Sequence, residues 1–256
     1  MELHEILKSL QTGKISLKKA QKLLSLYSIE KIEDFAKIDV GRKRRKGIPE
    51  VVFAETKTID EIKKIIKSIM KKSNNIVVSR IQKNDLNKII KFVEKLNYKV
   101  KTGKNCSSIL IYKKPIRNEN GKIGIITAGT SDIGVAEEAR LMSESMNCKC
   151  VVSYDVGIAG IHRVFPTLKE FISNDIDVII VVAGMEGALA SLVSSMTDIP
   201  VIGVPTSVGY GYGKDGIAAL ASMLQSCSMG ISVVNVDNGI AAGAIAANIA
   251  NRRTRK

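Results

Sequence analysis

Apolar positions recur along this chain in two rhythms. Residues 3–11 and 16–27 repeat at three- and four-residue spacing, which predicts two amphipathic helices, with Ser16 suited to cap the second. A third short helix is predicted over 30–36. Strands are predicted over 50–53, 75–79, 98–101 and 108–112, with helices over 59–71 and 85–96, so a small α/β unit follows the helical lead. From residue 122 onward the pattern is more regular. Short apolar runs at 122–128, 150–154, 178–183, 200–204 and 231–236 alternate with helical stretches at 131–146, 164–173, 186–195, 214–225 and 241–253. The 131–146 stretch reads as amphipathic. Five strands separated by helices predict an α/β fold with a doubly wound, parallel, flavodoxin-like sheet. Ligands of such sheets sit beyond the carboxyl ends of the strands. That directs attention to loops 128–132, 155–163, 183–187, 205–213 and 237–243.

Charge divides the chain at the same place. Residues 1–120 hold 29 Lys/Arg against 13 Asp/Glu, net +16, and residues 121–256 hold 10 against 12, net −2. The expected division is a basic N-terminal helical plus small α/β domain over 1–117 and an α/β catalytic domain over 118–256. Many lysines lie in helical patterns such as Ile62-Lys63-Lys64-Ile65-Ile66-Lys67, which is a solvated face more than a nucleic-acid surface. The chain has no Trp and only 4% aromatics, so its apolar mass is mostly aliphatic, as parallel sheets require. No signal peptide or membrane-length apolar run occurs, which points to a cytoplasmic protein with reduced thiols and no membrane partner. Four cysteines (Cys106, Cys148, Cys150, Cys227) and two histidines offer no metal-ligand spacing, and the metal ligands are unknown.

Several of these loops carry chemistry. In Gly129-Thr130-Ser131-Asp132, two hydroxyls and the free amides of a helix start suit a phosphate or carboxylate. The same residues also make a good N-cap. His162 and Arg163 follow a glycine-rich turn, and an arginine fork matches phosphate. Glu186, within Gly184-Met185-Glu186-Gly187, ends a very apolar strand; partial desolvation there suits proton transfer. The segment 206–213 is glycine-rich and bears two tyrosines, as a lid or a merely flexible loop would. Cys227, in Ser226-Cys227-Ser228, offers a nucleophile, or a small buried apolar side chain.

The order of Gly-Thr-Ser-Asp, Ile-His-Arg and Gly-Met-Glu-Gly-Ala loops resembles the PurE-like aminoimidazole ribonucleotide carboxylases. The third loop departs from theirs, which carries a histidine, and Gln225-Ser226-Cys227 stands where they have Gln-Met-Pro. Those departures are similar to a sister family, LarB. The likeness also takes in Arg42-x-x-Arg45-x-Gly47-x-Pro49 and Val234-Asn235-Val236-Asp237-Asn238-Gly239. One local difference is Ala54-Glu55-Thr56-Lys57, where Gly-x-Gly-Lys is expected.

The LarB resemblance implies an enzyme that carboxylates the pyridinium ring of nicotinic acid adenine dinucleotide with CO2 or bicarbonate and releases AMP, the first step toward a nickel-pincer nucleotide. It implies Cys227 as covalent nucleophile and Glu186 as acid/base. It implies substrate contacts from Gly129, Thr130, Ser131, Asp132, His162, Arg163, Gly184, Ser207, Asp237, Asn238, Arg42 and Arg45. No organic cofactor is implied, and Mg2+ is the candidate ion for the substrate phosphates. A homo-octamer or other homo-oligomer is expected, without nucleic acid. A purine-type carboxylase or mutase and a non-enzymatic nucleotide- or nucleic-acid-binding protein remain alternatives. Because Cys227 precedes its strand whereas the other site loops follow theirs, the site is expected to be shared between subunits.

Overall fold

The computed structural model describes residues 3–24, 30–32, 36–38, 42, 46–117 and 120–253. Two short helices, α1 (Leu3–Gln11) and α2 (Leu17–Leu24), open the chain, with Ser16 Oγ accepting from Lys19 N at the start of α2. The helix expected over 30–36 is not formed. Two three-residue strands, β1 (Glu30–Ile32) and β2 (Ala36–Ile38), pair there antiparallel instead. A seven-residue stretch holds too few turns for spacing to decide, and Ile at 32 and 38 favours extended backbone.

The N-terminal sheet is built from β3 (Val51–Phe53), β4 (Asn75–Ser79), β5 (Lys99–Thr102) and β6 (Ile109–Tyr112), in the order β3-β4-β6-β5. Strands β3 and β4 are parallel, and the other pairs are antiparallel. Helix α3 (Ile59–Lys72) starts at a capping box: Thr58 Oγ1 accepts from Glu61 N, and Glu61 Oε2 accepts from Thr58 N. It buries Ile62, Ile65, Ile66, Ile69 and Met70, the i, i+3, i+4, i+7, i+8 stripe of an amphipathic helix, and leaves its lysines toward water. With helix α4 (Lys83–Lys95) it covers one face of the sheet through Ile76, Val78, Ile89 and Ile111. The alternate residues Val77 and Leu110 face the other way and join the core of the second sheet.

The second sheet contains β7 (Lys122–Thr127), β8 (Lys149–Ser153), β9 (Val178–Ala183), β10 (Val201–Pro205) and β11 (Ile231–Val233). Its order is β11-β10-β9-β7-β8 and every pair is parallel, as expected. Helices α5 (Ile133–Ser145) and α9 (Gly239–Arg253) pack on one face, and α6 (Val164–Ser173), α7 (Ala188–Ser195) and α8 (Ile217–Leu224) on the other. Strand β11 ends three residues earlier than its apolar run.

Helix α5 departs from expectation in an instructive way. Its polar side is not in water. Glu137, Glu138, Glu144 and Ser145 are buried because the N-terminal sheet lies over them, and Ser143 is buried toward α9. Ser108 Oγ donates to Glu138 Oε1 at 2.7 Å, and Ser79 Oγ donates to the same oxygen. Asn75 Nδ2 donates to Ser145 O at 2.6 Å, and Lys101 Nζ pairs with Glu144 Oε2 at 2.7 Å. Arg140 bridges Glu137 and Glu144, at 2.6 and 3.0 Å. The two sheets therefore share one helix, which carries a loop of the site at its N-terminus. No helix among the described residues is long and apolar enough to cross a membrane.

Candidate functional site

In the sheet order, β8 lies on one side of β7 and β9 on the other, so the loops after β7 and β9 diverge and leave a crevice between them. A cleft of about 320 Å³ opens there. Gly129, Ser131 and Asp132 line it from the first loop, Gly157 and Ile158 from the second, and Gly184, Met185 and Glu186 from the third.

The first loop is held from below. Asp132 is 3% exposed; its Oδ2 accepts from Gly129 N at 2.9 Å and its Oδ1 from Thr206 Oγ1 at 2.7 Å. Burial raises its carboxyl above the usual range, and those two bonds partly offset the rise. Asp132 thus ties the β7 loop to the β10 loop, while Thr130 and Ser131 stand exposed at the helix start. The third loop needs glycine at its first position. A Cβ on Gly184 would lie 2.3 Å from Val208 O, and Met185 N donates to that same carbonyl at 2.7 Å. Met185 then takes a left-handed φ of 51° and Gly187 one of 66°, turning Glu186 outward. Glu186 is exposed. Its own chain does not supply the partial desolvation expected of it, because the loop leaves the sheet before the carboxylate is reached.

His162 is also exposed, and Arg163 Nη1 is engaged with Asp155, at 2.8 Å to the carbonyl and 3.1 Å to the carboxylate. Neither lines the cleft. Asp237 Oδ1 accepts from Ser207 N at 2.9 Å, and Asn238 Oδ1 accepts from Ala241 N at 3.0 Å, capping α9. Ser207, Asp237 and Asn238 are thereby joined at the β10 and β11 ends. Arg42 pairs with Glu50 at 3.7 Å and does not line the cleft, and Arg45 lies outside the described residues. Of the 206–213 loop, Val208 lines the cleft, whereas Tyr210 and Tyr212 do not and are 79% and 97% exposed.

Cys227 stands apart from all of these. Its segment is docked on α7: Ser191 Oγ donates to Ser226 Oγ at 2.8 Å, Ser228 Oγ donates to Ser191 O at 3.0 Å, and Ser194 Oγ donates to Met229 O at 2.8 Å. These anchors lie about 5–9 Å along the helix from its start at Ala188, at 1.5 Å per residue. The thiol is exposed and absent from the cleft lining. Around it Leu224 and Met229 are 66% and 94% exposed. The other thiols differ: burial pushes Cys106 up to about 11, Cys148 up to about 12 and Cys150 higher still. Among the described residues no group of three or more His, Cys, Asp or Glu side chains could hold a metal ion.

Comparison with known proteins fits this two-part build. Residues 122–256 match the AIR carboxylase family, and residues 29–106 match the LarB/PurE-like N-terminal domain. The chain belongs to the LarB family. An uncharacterized protein of Methanocaldococcus jannaschii is 46% identical over 252 residues, 97% of this chain and 96% of the relative. The N5-carboxyaminoimidazole ribonucleotide mutase of Thermotoga maritima is 30% identical over 132 residues, 50% of this chain and 74% of that enzyme. The phosphoribosylaminoimidazole carboxylase of Candida glabrata is 32% identical over 129 residues, 48% of this chain and 21% of that enzyme. The LarB chain is thus of the carboxylase and mutase type, with a PurE-like domain behind its own N-terminal domain.

Three features of the site escape sequence reading. The Asp132–Thr206 bond joins residues 74 apart, and no local signal marks it. The Glu137–Arg140–Glu144 set is one i, i+3 pair followed by one i, i+4 pair, which reads as exposed helix pairing until a sheet is laid over it. Tyr154, whose hydroxyl donates to Glu137 Oε1, comes from the loop that follows β8.

Proposed function

We propose that this LarB-family chain carboxylates C5 of the pyridinium ring of nicotinic acid adenine dinucleotide and hydrolyses its phosphoanhydride. What supports the reading is a carboxylate, Glu186, lining the switch-point cleft, together with a fixed, exposed thiol at Cys227 on the far part of α7. A pyridinium ring is too electron-poor to attack CO2. Addition of the Cys227 thiolate to the ring gives a dihydropyridine whose C5 is nucleophilic, and C5 then forms the new bond to CO2. Glu186 takes the C5 proton, the ring regains aromaticity, and the C–S bond breaks to return the thiolate. Water splits the phosphoanhydride, giving AMP and the dicarboxylated mononucleotide. The substrate phosphates face Thr130, Ser131 and the amides opening α5; a Mg2+ ion bound with them would neutralise their charge.

Within one chain Cys227 and Glu186 do not meet, so the reading requires a homo-oligomer, an octamer by the PurE resemblance, in which a neighbouring subunit supplies the thiol. The exposed Leu224 and Met229 beside Cys227 support a covered face there. A second reading, a purine-type mutase, is favoured by the 30% identity to the Thermotoga maritima enzyme. Incubation with nicotinic acid adenine dinucleotide and bicarbonate, followed by mass spectrometry, separates them. AMP and a ring-carboxylated mononucleotide are expected. Neither product, with turnover of N5-carboxyaminoimidazole ribonucleotide instead, would refute the first reading. Mixing inactive Cys227→Ser and Glu186→Gln proteins under subunit exchange should restore activity if the site is shared.

A further inference from the structure

The chain passes from β6 to β7 at the end of the second sheet opposite the switch-point cleft. A cleft of about 240 Å³ opens there. The N-terminal domain supplies Asn74 and Asn75 to its wall, the connecting segment Lys114, Arg117 and Asn120, and the turn before β8 Asn147. Both ends of the connection are pinned: Lys113 N donates to Asn74 O at 2.9 Å, and Asn120 N donates to Asn147 O at 3.1 Å. Strand β7 is six residues long, so about 20 Å separates this cleft from the loops of the candidate active site.

Its chemistry is one-sided. Lys114 and Arg117 are exposed, and neither has an ion-pair partner among the described residues. Among the described residues no carboxylate, thiol, hydroxyl or imidazole lines the cleft. The other polar groups are asparagine amides, each able to donate and to accept. Asn75 is the most telling of them. It is 6% exposed, and its Nδ2 donates to Ser145 O at 2.6 Å, while its Oδ1 is buried without a partner. A buried acceptor left unpaired is costly until a donor reaches it.

A metal ion would meet two cations and no carboxylate. A bare dianion would satisfy Lys114 and Arg117 and leave Asn75 unpaired. A phosphomonoester that also carries hydroxyl groups satisfies all three. The cleft is smaller than the roughly 300–1,000 Å³ of sites for drug-sized ligands, so a dinucleotide is too large for it. We propose that this cleft is a binding site, separate from the catalytic one, for a small polyol or sugar phosphate. Its phosphate lies between Lys114 and Arg117 and a hydroxyl donates to Asn75 Oδ1. The site does not depend on which reaction the switch-point cleft performs. Its occupant touches both domains and the segment that joins them.

The test is calorimetric binding of glycerol 3-phosphate and methyl phosphate to the full chain at about pH 8, where both are doubly charged. Methyl phosphate keeps the charge and lacks the hydroxyl donors, so it should bind about fivefold more weakly. Lys114→Ala and Arg117→Ala, both at exposed positions, should each weaken glycerol 3-phosphate about tenfold, the loss of one charged hydrogen bond. Lys91→Ala on α4 removes the same charge away from the cleft, and Ser131→Ala alters the phosphate cradle of the active site. Both should stay within about twofold of wild type. Hydrogen-exchange mass spectrometry should show glycerol 3-phosphate slowing exchange in peptides over 113–121. The proposal is overturned if glycerol 3-phosphate fails to bind at about 10 mM, or if methyl phosphate binds as well. It is also overturned if Lys91→Ala or Ser131→Ala costs as much as Arg117→Ala, or if protection is confined to peptides over 128–132.

Discussion

Arg140→Met would remove the guanidinium that Glu137 and Glu144 share. Arg140 Nε and Nη2 donate to Glu137 at 2.7 and 2.6 Å, and Nη1 donates to Glu144 at 3.0 Å. The side chains are only 15%, 4% and 7% exposed, so solvent does little to screen the loss. Removing one partner of a buried ion pair costs about 3–5 kcal/mol. Tyr154 and Lys104 N still donate to Glu137, and Lys101 still reaches Glu144, which sets the expectation at the lower end, about 3 kcal/mol. The loss should depend on pH. In the native protein burial pushes the Glu137 carboxyl up, but Arg140 and Tyr154 outweigh it and hold it below its ordinary 4.5. A depressed carboxyl stabilises the fold above its unfolded pKa, and that contribution is lost only as pH falls through the lower folded value. Without Arg140, burial is the larger influence. The Glu137 carboxyl then rises, and the variant suffers most when it is charged. Urea unfolding followed by circular dichroism should show the full deficit at about pH 7 and a smaller one at about pH 5. A deficit under about 1 kcal/mol at neutral pH, or one equally large at both pH values, would refute the reasoning.

Gly243→Ala should destabilise the protein by about 1–2 kcal/mol in the same assay: a Cβ there would sit 2.4 Å from Ala139 O on α5, and overpacking outweighs the roughly 1 kcal/mol helix gain. An unchanged or raised midpoint would show that α5 and α9 can separate freely. Brief iodoacetamide treatment of the native protein at about pH 8 should label Cys227 ahead of the three thiols whose ionisation burial opposes, and peptide mass mapping reads the order. Glu186→Gln should lower kcat by about 10²–10⁴ with KM little changed; a change in KM alone would assign it to substrate positioning.

Much of the fold was legible in the sequence. The buried run of β9 and the regular alternation after residue 122 fixed a parallel sheet, because a strand covered on both faces must be apolar throughout. The loops named from that sheet, 128–132 and 183–187, do meet at one cleft, since strand order alone dictates where a crevice opens. The Gly184 position was readable too, as a residue type, though only the approach of Val208 O explains it. What stayed hidden depends on contacts distant in sequence. Helix α5 has the charge pattern of a solvated helix, and no local rule foretells that a second sheet will bury it. Asp132 reads as a ligand group but spends both carboxylate oxygens on Gly129 and Thr206. A cleft lined by Arg80, Asn105, Ser131 and Glu138 draws on three separate segments, and it exists only where the two domains close on each other. Periodicity fixes each element because it reports burial along one segment. Which segments share a wall is decided by packing between them.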